Sequence, residues 1–417
     1  MMLKNRALRM WQSYDIAIWI RAFGTALTSL TNFMMRPFLV LYLYNQLDGS
    51  ILLSTLVVSL SPLVGMLVNL IAGGLSDRIG RKPVMAAALL IQLASMLGLI
   101  AAASVWHYAI MSILNGIGHS LFGPAANAQV SDVVPEEKRP EVFALFHTAL
   151  NLGAALGPLL GLALFSWNMH VVFLVCAVSI GIYAAVLWWK VPETLDPAQQ
   201  ERARTRSRSP NSRIRLREHT AILWISLAAL PVGLLYAQVE STLPLHLETR
   251  FDNYQTVFAT MMAFNGLMVI ALQMWIARKS KDMPLHWVMG ISYTLFATVS
   301  IGYGFAPWFI LLLAVEFAFT IGEMLNGPHL QKLVSVLAPP EHRGFYFSIY
   351  GMNWQISRGL GPVLGGIILS HLNGQYLFSL MSAILLVAGV SMVRLARKIS
   401  QPRAVASPVE AEATLSA

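Results

Sequence analysis

The chain repeats part of itself 204 positions later without a gap, and this repeat limits what the chain can fold into. Ten residues, mostly Gly and Pro, recur at the same spacing. The first copy has Gly118, Gly123, Pro124, Pro135, Glu137, Arg139, Phe143, Gly157, Pro158 and Gly161, and the second has Gly322, Gly327, Pro328, Pro339, Glu341, Arg343, Phe347, Gly361, Pro362 and Gly365. A period of about half of the 417 residues indicates two homologous halves rather than a solenoid of short units.

The composition places these halves in a membrane. Apolar residues make up 56% of the chain and charged residues 12%, against about 25% charged in soluble domains. Twelve apolar segments are each long enough to cross about 30 Å of hydrocarbon. They are 15–43, 52–75, 84–104, 107–130, 141–165, 170–190, 221–245, 255–277, 284–304, 308–333, 344–370 and 374–396. The predicted fold class is therefore an all-α integral membrane protein, with twelve transmembrane helices in two pseudo-symmetric six-helix bundles.

The basic residues predict the domain division and the orientation. Of 29 Lys and Arg residues, 25 lie on one side of the predicted helices, in the tails, in the loops of that side or in the last three residues of a span that ends there. The positive-inside rule makes that side cytoplasmic, so we expect a multi-pass protein of the cell membrane with both termini in the cytoplasm. Residues 1–190 are the predicted N-terminal bundle, 191–220 a basic cytoplasmic linker, 221–396 the C-terminal bundle and 397–417 a cytoplasmic tail.

Several classes of function are disfavoured by the same pattern. The net charge of +9 is spread over loops beside membrane helices, which does not favour nucleic-acid binding. The sequence has no HExxH or CxxC motif and no phosphate-binding loop, so we expect no metal, no cofactor and no ATP-driven step. No nucleophile and base stand together as in an enzyme. Two parallel halves in an apolar chain favour a transporter, which we expect to be monomeric, with a binding site between the halves.

The loop after the second segment carries the most specific motif, Gly73-Gly-Leu-Ser-Asp-Arg-Ile-Gly-Arg-Lys82. It resembles the hallmark loop of the major facilitator superfamily and matches that loop at every fixed position. In that family the loop is a latch that holds the two halves together in one access state. The resemblance implies that Asp77 faces the start of the eleventh helix and that Arg81 pairs with Asp132. The latch residues that it implies are Gly73, Asp77, Arg78, Gly80, Arg81, Lys82 and Asp132.

A second motif lies in the fifth segment, where Gly153, Gly157, Pro158 and Gly161 follow one another at short spacing. Glycines of this kind allow close helix packing, and a proline can kink a membrane helix. The spacing also resembles the antiporter motif of proton-driven drug exporters in the same superfamily, which favours export over import. Gly361 and Pro362 repeat the motif in the second half, so we expect both halves to use it as a hinge.

Charged residues at membrane depth are costly and mark candidate functional positions. The acidic candidates are Glu323, Glu240 and Glu316, and the first two lie in segments that resemble the proton- or cation-binding helices of Gram-positive multidrug exporters. A carboxylate held in a low-dielectric cavity binds a proton more readily, so these glutamates could couple transport to a proton gradient. Arg358, Asn32 and His119, which is the repeat position of Glu323, are further cavity candidates.

Two departures from this drug:proton antiporter branch leave the coupling route and the preference for cationic drugs open. The branch has an arginine in the fourth helix where this chain has Ser112, and the first helix has Arg21, Asn32 and Arg36 in place of an acidic residue. We expect Arg21 and Arg36 to reach the membrane interfaces, and ion pairs between the arginines and the glutamates are an alternative to proton coupling.

The reaction expected from these observations is export of an amphipathic small molecule in exchange for protons, within a membrane whose lipids surround the helices. Alternatives of the same fold are an exporter of a sugar or metabolite and a lipid flippase, which the arginines keep open. A non-transporting membrane sensor is a more remote alternative, and an enzyme is the least favoured.

Overall fold

The computed structural model describes residues 15–72, 75–135, 138–195, 220–337 and 343–400. These residues form thirteen α-helices and no strand. In chain order they are α1 Ile16–Gln46, α2 Ile51–Ala72, α3 Leu75–Ile79, α4 Arg81–Ile100, α5 Val105–Val133, α6 Arg139–Phe165, α7 Met169–Lys190, α8 Thr220–Glu248, α9 Tyr254–Ser280, α10 Leu285–Phe305, α11 Phe309–Leu337, α12 Arg343–His371 and α13 Gly374–Ser400. Most of the predicted linker and tail lies outside the described residues, as does Gly73.

Twelve of the described helices correspond to the twelve predicted spans, and α3 is a single short turn in the loop after the second span. The membrane-spanning all-α fold is thus confirmed. By length and apolarity alone, nine helices of the described chain qualify to cross a membrane, and α1, α5 and α12 do not. These three carry polar residues such as Arg36, His119 and Arg358. Their reduced apolarity therefore reflects side chains that face the interior of the protein rather than lipid.

The offset of 204 residues extends to the ends of the helices. Four of the six pairs of equivalent helices begin at equivalent positions, with first residues 16 and 220, 81 and 285, 105 and 309, and 139 and 343, and the other two pairs differ by one residue. The two halves therefore share one register without insertions at these helix starts. Any residue of the first half can be compared with the residue 204 positions later.

Each half has its own apolar core. Most buried apolar side chains between Ala17 and Val191 form one cluster beside a smaller one around Val142, and those between Ile222 and Ala396 form another. Between the halves, α2 packs against α12, α6 against α9 and, less extensively, α1 against α8. Leu245 and Ala259 of the second half are buried in the core of the first. The domain boundaries remain a prediction, but the packing of the described residues follows the same division.

The helix ends define two sides of the molecule. We call the side with Ile16 and Ser400 the terminus side and the opposite side, with the connections at 47–50 and 249–253, the far side. Contacts between the halves run from the middle of the helices to the far side, because Thr55 and Gly366 are close neighbours there and Tyr254 packs against both cores. The far side is therefore the closed side.

The glycines of the predicted hinge lie at close helix contacts. A Cβ atom at Gly153 or Gly157 would overlap the backbone of α1, and one at Gly361 would overlap Ala237 of α8. Gly161 and Gly365 repeat this pattern against α1 and α8. Small residues let the backbones approach, which strengthens dispersion contacts where lipid offers no hydrophobic driving force. The packing explains why both halves keep these residues, and their action as hinges remains a prediction.

Candidate functional site in a charged central cavity

A cavity lies between the two halves at the middle of the helices. Two of its lobes have volumes of about 500 Å³ and 470 Å³. The first is lined by α1, α5, α6 and α12, and the second reaches Gln273, Gln331 and Tyr350 toward the terminus side. Because the halves are packed together on the far side, access to the cavity is from the terminus side.

Glu240 of α8 lies between two arginines at the centre of this cavity. Arg358 of α12 binds it with two hydrogen bonds, from Nε to Oε2 at 3.1 Å and from Nη2 to Oε1 at 2.5 Å. Arg36 of α1 approaches the same carboxylate at 3.7 Å. The Arg358 guanidinium also lies over the ring of Trp354, 5.4 Å from its centroid. The first pair joins helices of one half, whereas the contact of Arg36 with Glu240 joins the two halves.

The position of Arg36 corrects the expectation that it reaches a membrane interface. Its side chain is one-third exposed and lines the cavity. Arg36 and Glu240 are also 204 positions apart, so they are equivalent residues of the repeat. Equivalent residues near the pseudo-twofold axis that relates the halves face each other across it, and this explains their contact. The repeat offset of 204 residues is the feature of the sequence from which this pair could have been predicted.

Glu316 and Glu323 lie on one face of α11 and have different partners from Glu240. Glu316 is fully buried, and the hydroxyl of Tyr303 donates to its Oε2 at 2.6 Å. Its other oxygen is buried without a hydrogen-bond partner. Glu323 accepts a hydrogen bond from the Asn265 side chain at 2.9 Å. Neither carboxyl has a cation within ion-pair distance among the described residues.

The structure brings these two groups of charges into one space. Glu240, Arg358, Glu316 and Glu323 all line a single lobe of about 200 Å³, together with Asn265, Tyr236 and Trp354. His119 and Asn32 line the neighbouring lobe beside Arg36. Pro158 and Pro362 of the predicted hinge also face the cavity. All six predicted cavity residues therefore line connected lobes, and their roles in transport remain predictions.

Arg21 does not reach the interface as expected. It is 8% exposed, and its guanidinium lies over the rings of Phe122 and Phe146 at 5.2 Å and 5.5 Å. Nη2 is 3.4 Å from the side-chain oxygen of Asn127. Arg21 is therefore enclosed by α5 and α6 inside the first half, away from the central cavity.

The arrangement of two helical halves around a polar cavity agrees with the match to a protein family. The family model of the Major Facilitator Superfamily matches residues 21–356 and 255–416, which is most of the chain. The chain belongs to the Major Facilitator Superfamily. Among the described residues, no group of three His, Cys, Asp or Glu side chains could hold a metal ion.

Similar proteins of the superfamily cover almost the whole chain. An uncharacterized MFS-type transporter of Bacillus subtilis (strain 168), YhjO, is 34% identical, and the match covers 93% of this chain and 94% of that protein. A Na(+), Li(+), K(+)/H(+) antiporter of Planococcus maritimus is 26% identical, with 84% and 89% covered. The multidrug resistance protein MdtH of Cronobacter sakazakii is 24% identical, with 85% and 87% covered. The protein is therefore a secondary transporter of this superfamily and not an enzyme.

A solved structure of the superfamily supports the fold. A crystal structure of the peptide transporter POT has a TM-score of 0.77 with this chain at 18% identity, and the match covers 93% of this chain and 95% of the other. At this level of identity the likeness concerns the fold alone.

The superfamily's hallmark loop forms a polar network within the first half. Arg81 donates from Nε to Asp132 at 3.1 Å, as the resemblance implied, and also pairs with Asp77. Gly80 has a φ of 128°, a backbone conformation that favours glycine, and it places Arg81 at the start of α4. The predicted approach of Asp77 to the start of α12 concerns the first side chains of that helix, which lie outside the described ones. Of the remaining loop residues, Arg78 is exposed, and the Lys82 ammonium lies 5.1 Å from the centroid of Trp188.

Glu193 is a part of this network that the sequence analysis missed. It follows α7, and its carboxylate accepts hydrogen bonds from the backbone N–H groups of Arg81 and Lys82 at 3.0 Å and 3.1 Å. A carboxylate at this position satisfies two N–H groups that lack partners within the helix and complements the helix dipole. The neighbouring Thr194 hydroxyl donates to Asp132 at 3.1 Å. The network therefore ties α4, α5 and the end of α7 together, and its action as a latch remains a prediction.

Proposed function

We propose that this protein is a proton-coupled antiporter that exports amphipathic small molecules by alternating access. It resides in the cell membrane with its termini in the cytoplasm, as the distribution of basic residues indicates. The cavity would then open toward the cytoplasm, which is the side from which an exporter loads its substrate. The proton gradient would drive the reverse transition.

The observation that carries the proposal is the contrast among the three cavity glutamates. Glu240 is neutralised by two arginines, whereas Glu316 and Glu323 have only neutral donors such as Tyr303 and Asn265. A carboxyl group at membrane depth without a cation partner is a group that can carry a proton across the cycle. We assign the proton to the pair of carboxyls on α11. Glu323 is the primary site because it also lines the lobe that extends toward the terminus side, whereas Glu316 is fully buried.

The contact between Arg36 and Glu240 supplies the link to the change of access. It is the one ion pair between the two halves among the described residues. Loss of this pair removes an electrostatic attraction between the two halves and so weakens the present packing. Substrate or proton binding beside it can therefore shift the balance between the two access states.

The names of the relatives support the same class of reaction. A Na(+), Li(+), K(+)/H(+) antiporter and a multidrug resistance protein are both similar to this chain over more than four-fifths of its length. Proton exchange and export of drug-like molecules are properties that those names give to the relatives. We transfer them to this chain as part of the proposal, together with the resemblance of its glycine motif to that of antiporters.

The test uses purified protein in sealed vesicles with an imposed pH gradient and a pH-sensitive dye trapped inside. Addition of a transported amphipathic compound should move protons, and Glu323→Gln should lower the proton flux by about a hundredfold, equivalent to about 2.7 kcal/mol in the barrier.

The matched control is Asp282→Asn, which removes a carboxylate from an exposed loop outside the cavity. We expect this variant to retain at least about a third of the flux, a difference below 1 kcal/mol. Proton flux that survives in Glu323→Gln would overturn the assignment of the coupling site. A transported compound that moves no protons in the unaltered protein would overturn antiport itself.

A further inference from the structure

We propose that the transported molecule is an organic anion whose carboxylate binds the guanidinium of Arg36 in place of Glu240. This inference rests on the proposed transport function and names its substrate class. The polar head would be bound where the two halves meet, and an apolar body would occupy the adjoining lobe of the cavity.

The charge balance of the central group is the first argument. Arg36 and Arg358 carry two positive charges and Glu240 one negative charge, so the group has a net charge of +1 when the carboxyls of Glu316 and Glu323, which line the same lobe, are protonated. A monoanionic substrate neutralises this group, whereas a cation would raise it to +2. Charges interact strongly in a medium of low dielectric constant, so the sign of the group selects the sign of the ligand.

The bonding of the two arginines is the second argument. Arg358 has two short hydrogen bonds to Glu240 and a ring contact with Trp354. Arg36 has only the contact at 3.7 Å, although a guanidinium has five N–H donors in a planar fork. No hydrogen bond of Arg36 exists within the described part of the chain. Its donors point into a cavity with one-third of the side chain exposed, and a planar carboxylate matches their geometry.

The walls around Arg36 suit the rest of such a molecule. Asn32 and His119 line the same lobe and offer neutral polar groups to the second oxygen of the carboxylate. Phe33, Leu150 and Trp354 line it as well and provide an apolar surface. A few polar groups in a mainly apolar pocket give a ligand its orientation and leave its body to nonspecific contacts.

Binding at Arg36 has a mechanical consequence, since its partner Glu240 belongs to the other half. A substrate carboxylate that takes this guanidinium leaves Glu240 with Arg358 alone, and both of those residues lie in the second half. The ion pair between Arg36 and Glu240, which joins the halves, is thereby replaced by an ion pair between Arg36 and the substrate. A substrate anion would in this way release the halves without leaving a charge unpaired.

The experiment measures binding to purified protein in nanodiscs of phosphatidylcholine, with three probes of the same shape. They are 2-naphthylacetate, its neutral amide and 2-(2-naphthyl)ethylammonium. The anion should bind at least about tenfold more tightly than the cation, a difference of about 1.4 kcal/mol. Tighter binding of the ammonium probe would overturn the proposal.

Variants identify the residue. Arg36→Gln should weaken binding of the anion by about tenfold or more and leave the amide unchanged, and Arg36→Lys should restore part of the affinity. Glu240→Gln should strengthen anion binding by about fivefold, because it removes the competing carboxylate. A merely structural role would not produce this gain. Lys281→Gln, which removes a positive charge from an exposed loop, is the control for net charge.

The remaining outcomes separate the two proposals. Equal binding of the anion to Arg36→Gln and to unaltered protein would overturn the anion site, even if proton-coupled transport of the neutral probe persists. Anion binding that depends on Arg36 without any proton flux would sustain the site and overturn antiport. Anionic phosphatidylglycerol should leave the affinity of the probe unchanged. If it weakens binding more than tenfold, the occupant is a lipid headgroup rather than a soluble carboxylate.

Discussion

The two halves share one frame and differ in the charges that the frame holds. Equivalent helices begin 203 to 205 positions apart, and equivalent glycines in α6 and α12 pack against α1 and α8. Yet the positions of Glu316 and Glu323 are occupied in the first half by Ser112 and His119. The first half instead contains the latch network around Arg81. The comparison teaches that helix packing was kept in both copies, while the carboxyls of Glu316 and Glu323 are in the second half and the polar network around Arg81 is in the first.

The largest expected effect comes from removing the buried carboxyl of Glu316, which has no counterpart at the equivalent position of the first half. In the double variant Tyr303→Phe and Glu316→Leu, both members of a buried hydrogen bond become apolar. We expect proton-driven transport to fall by about a hundredfold, or about 2.7 kcal/mol in the barrier. Thermal unfolding should stay close to that of the unaltered protein, since removal of both partners leaves no unsatisfied group.

The single variant Tyr303→Phe is the control for this experiment. It leaves Glu316 with no donor and should destabilise the fold by about 1–3 kcal/mol, seen as a lower unfolding temperature. If the double variant transports normally, Glu316 has only a structural role and the asymmetry between the halves rests on Glu323 alone.

The next effect tests whether the shared packing is equally rigid in both halves. Gly157→Ala places a Cβ against the backbone of α1, and Gly361→Ala places one against the Ala237 side chain. Each change should destabilise the protein by about 1–3 kcal/mol through overpacking.

The two sites differ in how they can be rescued. Addition of Ala237→Gly should restore the unfolding temperature of Gly361→Ala, because the obstructing atom is removed. No substitution can remove the backbone of α1, so Gly157→Ala cannot be rescued in the same way. Failure of the rescue would show that the neighbouring backbone, rather than Ala237, limits the approach of α12 to α8.

The smallest effect concerns the latch. Glu193→Gln removes a charge from the N-terminus of α4 and should cost about 0.3–1 kcal/mol, measured by thermal unfolding at low ionic strength. The equivalent residue of the second half is Arg397, so that half lacks this interaction. The difference between variant and unaltered protein should shrink in high salt. A salt-independent loss would mean that shape rather than charge makes Glu193 important.

The sequence predicted the helices well because their signal is local. Long apolar stretches must be helical in a membrane, where each backbone group needs an internal partner. The twelve spans were therefore placed to within a few residues. The pairing of Arg81 with Asp132 followed from a resemblance and was found, whereas Glu193 was missed because its role depends on the fold of a loop after α7.

The cavity was harder to predict because its charges come from different helices. The neutralisation of Glu240 by two arginines depends on which faces of α1, α8 and α12 meet, and apolarity does not encode this. Arg21 and Arg36 were both expected at interfaces from their depth along α1. One is enclosed among aromatic rings and the other faces the cavity, since rotation about the helix axis decides such an outcome.

The contact of Arg36 with Glu240 also bears on the history of the duplication. When the two copies were identical, these facing positions held the same residue. Two like charges about 4 Å apart repel by about 4 kcal/mol near a protein surface. A matched pair of arginines or glutamates would have kept the halves apart at their centre. Divergence of this one position into opposite charges allows an ion pair, instead of any such repulsion, to join the two halves at their centre.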